Sequence, residues 1–129
     1  MQFSVILVTL FALAVSAAPV EIQKRSTTCG HNIYTTAQVD AASKAACAHI
    51  RAGTVVGIAR YPHQYKNYER FIMSFKGPYY EFPIKARGVY TGGPPGADRV
   101  LINARCNQVG QITHTGALNN GFAGCSGTS

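Results

Sequence analysis

The chain has 129 residues and a formal net charge of +7 at pH 7, and this length predicts one domain. It contains no internal repeat and no low-complexity segment, which excludes a repeat architecture. The positive charge favours polyanionic partners such as RNA, DNA, acidic glycans or anionic membrane surfaces, although solubility alone would also account for it.

The amino-terminal segment is typical of a secretory precursor. Val5 to Val15 is an apolar run too short to span a bilayer, and Val15-Ser16-Ala17-Ala18 is a small-residue cleavage pattern. We therefore expect a signal peptide over residues 1–17 and a short propeptide over residues 18–25 that ends at the dibasic pair Lys24-Arg25. Their removal would leave a secreted, extracellular domain with a formal charge of +6 and no membrane anchor.

The expected mature domain, residues 26–129, carries four cysteines. In a secreted chain four cysteines predict two disulfides, for which three connectivities exist. We expect the nested pairing, Cys29–Cys125 with Cys47–Cys106, which would tie both ends of the domain together and clamp the early segment onto later strands. A zinc site is disfavoured, because no two cysteines have the close spacing of a zinc-ligand pair.

The first half of this domain contains the predicted helix. Thr27 to Tyr34 is expected to be a short strand or hairpin. Thr35 and Gln38 then have the spacing of a capping box, and small or apolar residues recur at helical spacing until Gly53. The sequence therefore predicts one helix, over Gln38 to Ala52.

After the helix, short runs of strand-forming residues alternate with Gly, Pro and Asn. A helix followed by a run of strands predicts an α+β domain with an antiparallel sheet rather than alternating βαβ units. The segment Thr91 to Gly96 lacks the ending of a phosphate-binding loop and is predicted to be a turn. The expected strands are Val55–Ile58, Tyr61–Tyr65, Tyr79–Ile84, Arg99–Asn103 and Val109–Thr115.

Four groups suited to acid–base chemistry lie on different predicted strands, where an antiparallel sheet can bring them to one face. They are His63, Glu81, Arg99 and His114. Together they suit phosphoryl transfer without metal or cofactor, since one group accepts a proton, one donates a proton and the cation holds the phosphate. Each alone is also typical of a surface residue, and Asp98 beside Arg99 offers a local ion pair. A metal triad is disfavoured because the arginine would repel a cation.

The run from Tyr61 to Glu69 concentrates polar rings and one carboxylate. Tyr61, His63 and Tyr65 alternate, so on a strand they share one face, and a polar loop follows. One interpretation is a catalytic face with an adjoining aromatic pocket. The other is a polar edge strand with a solvated loop.

Five motifs stand out along the domain: Tyr61-Pro62-His63, Asn67-Tyr68-Glu69, Tyr79-Tyr80-Glu81-Phe82-Pro83, Gly92-Gly93-Pro94-Pro95-Gly96-Ala97-Asp98-Arg99-Val100 and Thr113-His114-Thr115-Gly116-Ala117. In order and spacing these motifs closely resemble those of the fungal guanyl-specific ribonucleases. The resemblance covers Thr28 to Cys125 and implies a small secreted endoribonuclease with one long helix packed on an antiparallel sheet. In that chemistry the ribose 2′-hydroxyl attacks the adjacent phosphate of single-stranded RNA, giving a 2′,3′-cyclic phosphate that water later opens.

The resemblance implies a catalytic role for each matching position. Glu81 would be the general base, with His63 assisting it or taking that role, and His114 would be the general acid for the leaving 5′-oxygen. Arg99 and Tyr61 would hold the phosphate oxygens. Phe122 would pack at the leaving-group side.

The same resemblance implies a guanine pocket. Glu69 would accept from N1–H and the 2-amino group of guanine, whereas adenine has an acceptor at N1 and would leave the acid unpaired. Tyr65 and Tyr68 would stack on the two faces of the base. The expected guanine-binding set is Tyr65, Lys66, Asn67, Tyr68, Glu69 and Asn120.

Two positions, one in the expected pocket and one directly after Glu69, depart from the family pattern. Lys66 stands where relatives commonly have Asn, and Arg70 where they commonly have Gly, so either cation would relax base preference by pairing with Glu69. The basic residues are expected to strengthen contact with the RNA backbone in a salt-dependent way.

The expected partner is single-stranded RNA bound by a monomer. DNA lacks the 2′-hydroxyl nucleophile, so DNA cleavage is excluded. Two alternatives remain: a non-catalytic secreted effector that binds RNA or protein on a ribonuclease scaffold, and a ribosome-directed toxin with the same chemistry. The first is disfavoured because the catalytic groups are all present, and the second because the segments between strands are short.

Overall fold

A computed structural model describes residues 26–129, so the expected signal peptide and propeptide, residues 1–25, lie outside the described residues. The described chain is an α+β domain, as predicted, with a short hairpin, one helix and a five-stranded antiparallel sheet. Its elements are β1 (Thr27–Cys29), β2 (Asn32–Tyr34), α1 (Thr36–Ala52), β3 (His63–Tyr65), β4 (Tyr79–Pro83), β5 (Asp98–Asn103), β6 (Gln108–Thr113) and β7 (Ala123–Gly124).

Helix α1 begins two residues before its predicted start because Thr35 is the N-cap. Thr35 Oγ1 accepts from the Gln38 N–H at 3.2 Å, and the Gln38 side chain accepts from the Thr35 N–H at 2.7 Å. The predicted capping box is therefore confirmed. The helix ends at Gly53, whose φ of 72° lies in the left-handed region that favours glycine.

The sheet has the strand order β3-β4-β5-β6-β7, with every pair antiparallel. Side chains alternate between its two faces. One face packs against the buried side of α1 and forms the main core, which includes Val39, Ala46, Phe82, Val100 and Ile102. The other face carries a smaller cluster around Tyr65, Leu101 and Ile112. That second face also carries the candidate site.

The predicted strand over Val55–Ile58 is wrong. Only Val56 pairs, through a single bridge to Tyr61. Gly57 (φ 83°) and Arg60 (φ 59°) have left-handed conformations, and the Arg60 N–H donates to the Gly57 carbonyl at 3.0 Å. The chain therefore reverses in a tight turn at this point instead of extending.

The other strands were predicted to within two residues at each end. β3 begins at His63 rather than Tyr61, because Pro62 between them has no N–H to donate to a neighbouring strand. β6 ends at Thr113 rather than Thr115. The two-residue strand β7, within a segment expected to be a tail, was missed because two residues carry no alternating pattern.

Both expected disulfides are present, Cys29–Cys125 and Cys47–Cys106. The first joins the β1–β2 hairpin to the carboxyl-terminal segment, and the second joins α1 to the turn between β5 and β6. Their partners lie 96 and 59 residues apart, so each restricts the unfolded chain by about 4 to 5 kcal/mol in the entropic account. No helix within residues 26–129 is long and apolar enough to cross a membrane.

Candidate active site

The register of the central strands aligns the candidate side chains. His63 on β3 lies opposite Glu81 on β4, and Arg99 on β5 lies opposite Pro83, two residues further along β4. Residues opposite one another, and residues two apart on one strand, point to the same face. His63, Glu81 and Arg99 therefore share the face that does not contact α1. His114 directly follows β6, and its N–H donates to the Ala97 carbonyl at 2.9 Å, which places it next to the start of β5.

Glu81 lies at the centre of this site and is only 6% exposed. Its Oε1 accepts from Arg99 Nε at 3.1 Å, and its Oε2 lies 3.1 Å from His63 Nε2. A buried carboxylate with a hydrogen-bonded partner at each oxygen is held in one orientation.

Arg99 is 2% exposed and connects the carboxylate to the phenol of Tyr61. Its Nη2 donates to the Tyr61 hydroxyl at 2.9 Å, while Nη1 donates to the carbonyl oxygens of Gly96 and Asp98 at 2.8 and 3.1 Å. A guanidinium has five N–H hydrogens, and these contacts together with the Glu81 bond use four of them. The fifth, on Nη2 beside the Tyr61 hydroxyl, is available to an anionic ligand.

The tautomer of His63 follows from its neighbours. Nδ1 lies 2.9 Å from the Ala59 carbonyl, which can only accept, so Nδ1 carries a hydrogen. The contact between Nε2 and the Glu81 carboxylate then requires one further proton between the two groups. The hydrogen bond to Glu81 raises the pKa of His63, against a smaller opposing effect of burial. The two residues therefore act as a coupled pair that exchanges one proton.

His114 is oriented in a similar way. Its Nδ1 lies 2.7 Å from the Gly121 carbonyl, so Nδ1 carries a hydrogen and Nε2 is the nitrogen that can exchange a proton with a ligand. Its ring stacks on Phe122 with 3.9 Å between centroids and an interplanar angle of 23°. This stacking fixes the plane of the imidazole.

A second region of the site surrounds Glu69. Its Oε1 accepts from the Tyr65 hydroxyl at 2.6 Å and its Oε2 accepts from the Phe122 N–H at 2.9 Å. Burial raises the pKa of Glu69, but these hydrogen bonds and the charge of His114 together outweigh burial and lower it. Burial and the Glu69 carboxylate in turn raise the pKa of Tyr65, so its hydroxyl remains a donor. Glu69 is thus an oriented, ionised acceptor.

The two tyrosines of this region differ in exposure. Tyr65 is 6% exposed and makes an edge contact with Phe122, with ring centroids 5.8 Å apart. It therefore forms the floor of the region around Glu69. Tyr68 is 82% exposed and lies at the rim of the same region. An exposed ring on a loop is free to cover a planar ligand, whereas a buried ring only supports one.

The Asn67 side chain holds the loop between Asn67 and Phe71 in a closed turn by bonding both backbone groups of Phe71. Its Oδ1 accepts from the Phe71 N–H at 2.8 Å and its Nδ2 donates to the Phe71 carbonyl at 3.0 Å. Lys66 and Asn120 are exposed near the same region. Within residues 26–129 the ion pairs are those of Glu81 with His63 and Arg99, so neither Lys66 nor Arg70 pairs with Glu69 there.

Comparison with known proteins identifies the family. The sequence model of the ribonuclease family matches residues 22–126. This chain belongs to the ribonuclease family. It is 54% identical over 123 residues to guanyl-specific ribonuclease F1 of Fusarium fujikuroi, covering 95% of this chain and 93% of that protein. It is 51% identical over 104 residues to the extracellular guanyl-specific ribonuclease Fl1 of Gibberella baccata, covering 81% and 99%.

The fold of this ribonuclease is similar to a solved structure, the ribonuclease He1 from Hericium erinaceus. The TM-score is 0.57 and the sequence identity 34%, covering 78% of this chain and 97% of that one. Within the described part of the ribonuclease, no group of three or more His, Cys, Asp or Glu side chains is arranged to hold a metal ion.

The structure rules out one alternative interpretation of the site residues of this ribonuclease, a local ion pair between Asp98 and Arg99. Asp98 does not form an ion pair with the Arg99 side chain, because successive residues on a strand point to opposite faces. Its carboxylate instead accepts from the Tyr34 and Thr113 hydroxyls at 2.6 Å each and from Asn32 Nδ2 at 3.0 Å. Asp98 thereby anchors the β1–β2 hairpin to the sheet.

Sequence reasoning also missed the backbone groups that orient the site. The carbonyl oxygens of Ala59, Gly96 and Gly121 hold His63, Arg99 and His114 respectively. Every residue type carries a carbonyl, so no feature of the sequence could have found these three.

Proposed function

We propose that this ribonuclease cleaves single-stranded RNA on the 3′ side of guanosine. The guanosine 2′-hydroxyl attacks the adjacent phosphorus, the bond to the 5′-oxygen of the next nucleotide breaks, and water later opens the 2′,3′-cyclic phosphate. The observation that carries this proposal is the chain of hydrogen bonds His63–Glu81–Arg99–Tyr61 on one face of the sheet. Two of the relatives are named guanyl-specific ribonucleases, which supports guanosine as the nucleoside.

The pair formed by Glu81 and His63 accepts the proton of the 2′-hydroxyl. Its buried carboxylate needs little solvent reorganisation when it takes up that proton. The free N–H of Arg99 and the hydroxyl of Tyr61 lie side by side, so both can donate to the non-bridging phosphate oxygens as negative charge develops there.

His114 donates a proton from Nε2 to the departing 5′-oxygen. Its Nδ1–H is committed to the Gly121 carbonyl, so the imidazolium has one proton to give and its direction is fixed. The ring of Phe122, stacked on His114, lies at the leaving-group side. In the second reaction the roles reverse, with His114 activating water and the Glu81 pair returning its proton to the 2′-oxygen.

Glu69 selects guanine by accepting from N1–H and the 2-amino group. Each carboxylate oxygen already accepts one hydrogen bond and has a second lone pair available. Adenine places an acceptor at N1 and would leave the carboxylate facing a lone pair. Tyr65 supports the base and Tyr68 covers its other face, with polar contacts from Lys66, Asn67 and Asn120 at the edge.

We also propose that the active form is a secreted monomer without cofactor, consisting of residues 26–129. Two disulfides suit an oxidising compartment, and one relative is named extracellular. Because the nucleophile is the 2′-hydroxyl, which DNA lacks, DNA is not cleaved.

Cleavage of the four dinucleotides GpU, ApU, CpU and UpU tests the proposal, with products separated by chromatography. GpU is expected to react at least a hundredfold faster than the others and to give guanosine 2′,3′-cyclic phosphate before any 3′-phosphate. Equal rates for the four would contradict the guanine pocket, and binding without cleavage of any would support a binding protein on this scaffold instead.

A further inference from the structure

A separate cavity lies at the end of the sheet where β4 begins and β5 ends. It has a volume of about 480 Å³. Its lining combines the Phe75 ring and Pro78 with two cationic side chains, Lys76 and Arg105. We refer to it as the Phe75 cavity.

The walls of the Phe75 cavity are held together by Asn103, which is only 4% exposed. Its Nδ2 donates to the Lys76 carbonyl at 3.1 Å, and its Oδ1 accepts from the Arg105 N–H at 3.0 Å. The Tyr79 hydroxyl donates to the Phe75 carbonyl at 2.7 Å. The segment before β4 and the turn after β5 are therefore fixed to one another, and the cavity is preformed.

The side chains that line the Phe75 cavity suit a nucleotide. Phe75 is 45% exposed, and Lys76 and Arg105 are exposed beside it. Neither cation has a carboxylate partner within residues 26–129, since both ion pairs there are made by Glu81. An exposed aromatic ring stacks on a base of any type, and cations of this kind contact phosphates. The cavity therefore matches single-stranded RNA in both shape and charge.

The Phe75 cavity and the leaving-group side of the active site lie at opposite ends of β5. His114 bonds to Ala97, next to the start of this strand, whereas Asn103 is its last residue. On the side of the guanine pocket, the chain runs from Phe71 to Phe75, a distance of at most about 14 Å. The cavity is therefore close to the pocket that receives guanosine and remote from the group that protonates the departing oxygen.

We propose that the Phe75 cavity binds a base on the 5′ side of guanosine, stacked on Phe75, with Lys76 and Arg105 contacting the phosphates that join this base to guanosine. This inference rests on the proposed function. RNA on the 3′ side of the cleaved bond begins at the oxygen that His114 protonates, so it leaves near the start of β5. RNA on the 5′ side extends toward the other end of that strand, where the cavity lies.

The test compares GpU with UpUpGpU, each made with a 2′-hydroxyl on G alone so that only one bond can be cleaved. For the wild-type protein, kcat/KM is expected to be about tenfold higher for UpUpGpU. Phe75→Ser is expected to bring the two values close together by lowering kcat/KM for UpUpGpU and leaving that for GpU unchanged. Val55→Ser is the matched control, at a position outside the cavity that is 42% exposed, and is expected to keep the tenfold ratio.

A second variant tests the cations. Arg105→Gln is expected to lower kcat/KM for UpUpGpU severalfold and to weaken its dependence on salt concentration, because one phosphate contact is lost. Lys44→Gln, which removes an exposed cation of α1, is expected to change neither quantity.

Two results would overturn the inference while leaving the proposed function intact. One is a wild-type protein that cleaves GpU and UpUpGpU with equal kcat/KM. The other is a Phe75→Ser variant that loses the same factor on both substrates. Failure of the wild-type protein to cleave GpU at all would overturn the proposed function, and this inference with it.

Discussion

Replacing Glu81 by glutamine removes the charge of the central carboxylate while keeping its shape. The amide oxygen of Gln at this position still accepts from Arg99 Nε, as Oε1 does now at 3.1 Å. The amide N–H₂ then faces His63 Nε2, and because Nδ1 of that ring is committed to the Ala59 carbonyl, Nε2 becomes an acceptor. His63 is therefore expected to be neutral in the Glu81→Gln variant.

The expected loss of activity follows from this rearrangement. General acid–base catalysis contributes about 10² to 10⁴ to a rate. His63 keeps a basic nitrogen in the same place, although that nitrogen must release the amide N–H before it accepts a proton. We therefore expect Glu81→Gln to lower kcat for GpU by about 10²-fold, which corresponds to a barrier about 2.7 kcal/mol higher.

The assay is steady-state cleavage of GpU over a range of pH, with the titration of His63 followed by NMR. Because the hydrogen bond to Glu81 is the main cause that raises the pKa of His63, this pKa is expected to fall in the variant. Asp40→Asn on α1 is the matched control, with the same loss of charge outside the site, and is expected to leave kcat unchanged. A Glu81→Gln enzyme with a loss below threefold, or with an unchanged His63 titration, would refute the assignment of this pair.

The remaining predictions concern specificity and stability. Glu69→Ala is expected to reduce cleavage after G far more than binding to nonspecific RNA, and equal losses in the two assays would argue against the pocket. The double change Cys47→Ser and Cys106→Ser is expected to lower the free energy of unfolding in urea by about 4 kcal/mol; a loss below 1 kcal/mol would show that this bridge does not restrict the unfolded chain. Since the pKa of His63 is raised on folding, its protonation stabilises the fold fully below its unfolded value of about 6.5, and this contribution disappears as pH rises through the raised pKa. The stability difference between wild type and His63→Gln should fall over that range, and a difference that grows with pH would contradict the pairing.

Much of the fold is predictable because local signals and the global architecture agree. The capping box at Thr35 and Gln38 and the glycine at position 53 fix both ends of α1, and alternating residues mark β4 to β6. The turn at Gly57 defeats the prediction of a strand there, because Arg60 adopts a left-handed conformation that its residue type does not indicate.

The side chains of the candidate site are predictable from the sequence, but the groups that orient those side chains are not. His63, Glu81 and Arg99 come together because the strand register places them on one face, and this follows from alternation alone once the pairing is known. Their orientation depends on backbone carbonyls and on the different burial of Tyr65 and Tyr68. Those features arise from tertiary packing, which a linear sequence does not specify.

The most direct test of the central claim uses the purified, disulfide-bonded protein, excess EDTA and an RNA oligonucleotide that contains each base once. The masses of the products identify both the cleaved bond and the chemistry of its ends. A single cut on the 3′ side of G that leaves a 2′,3′-cyclic phosphate is the expected result. Intact RNA after incubation with a folded sample would contradict it.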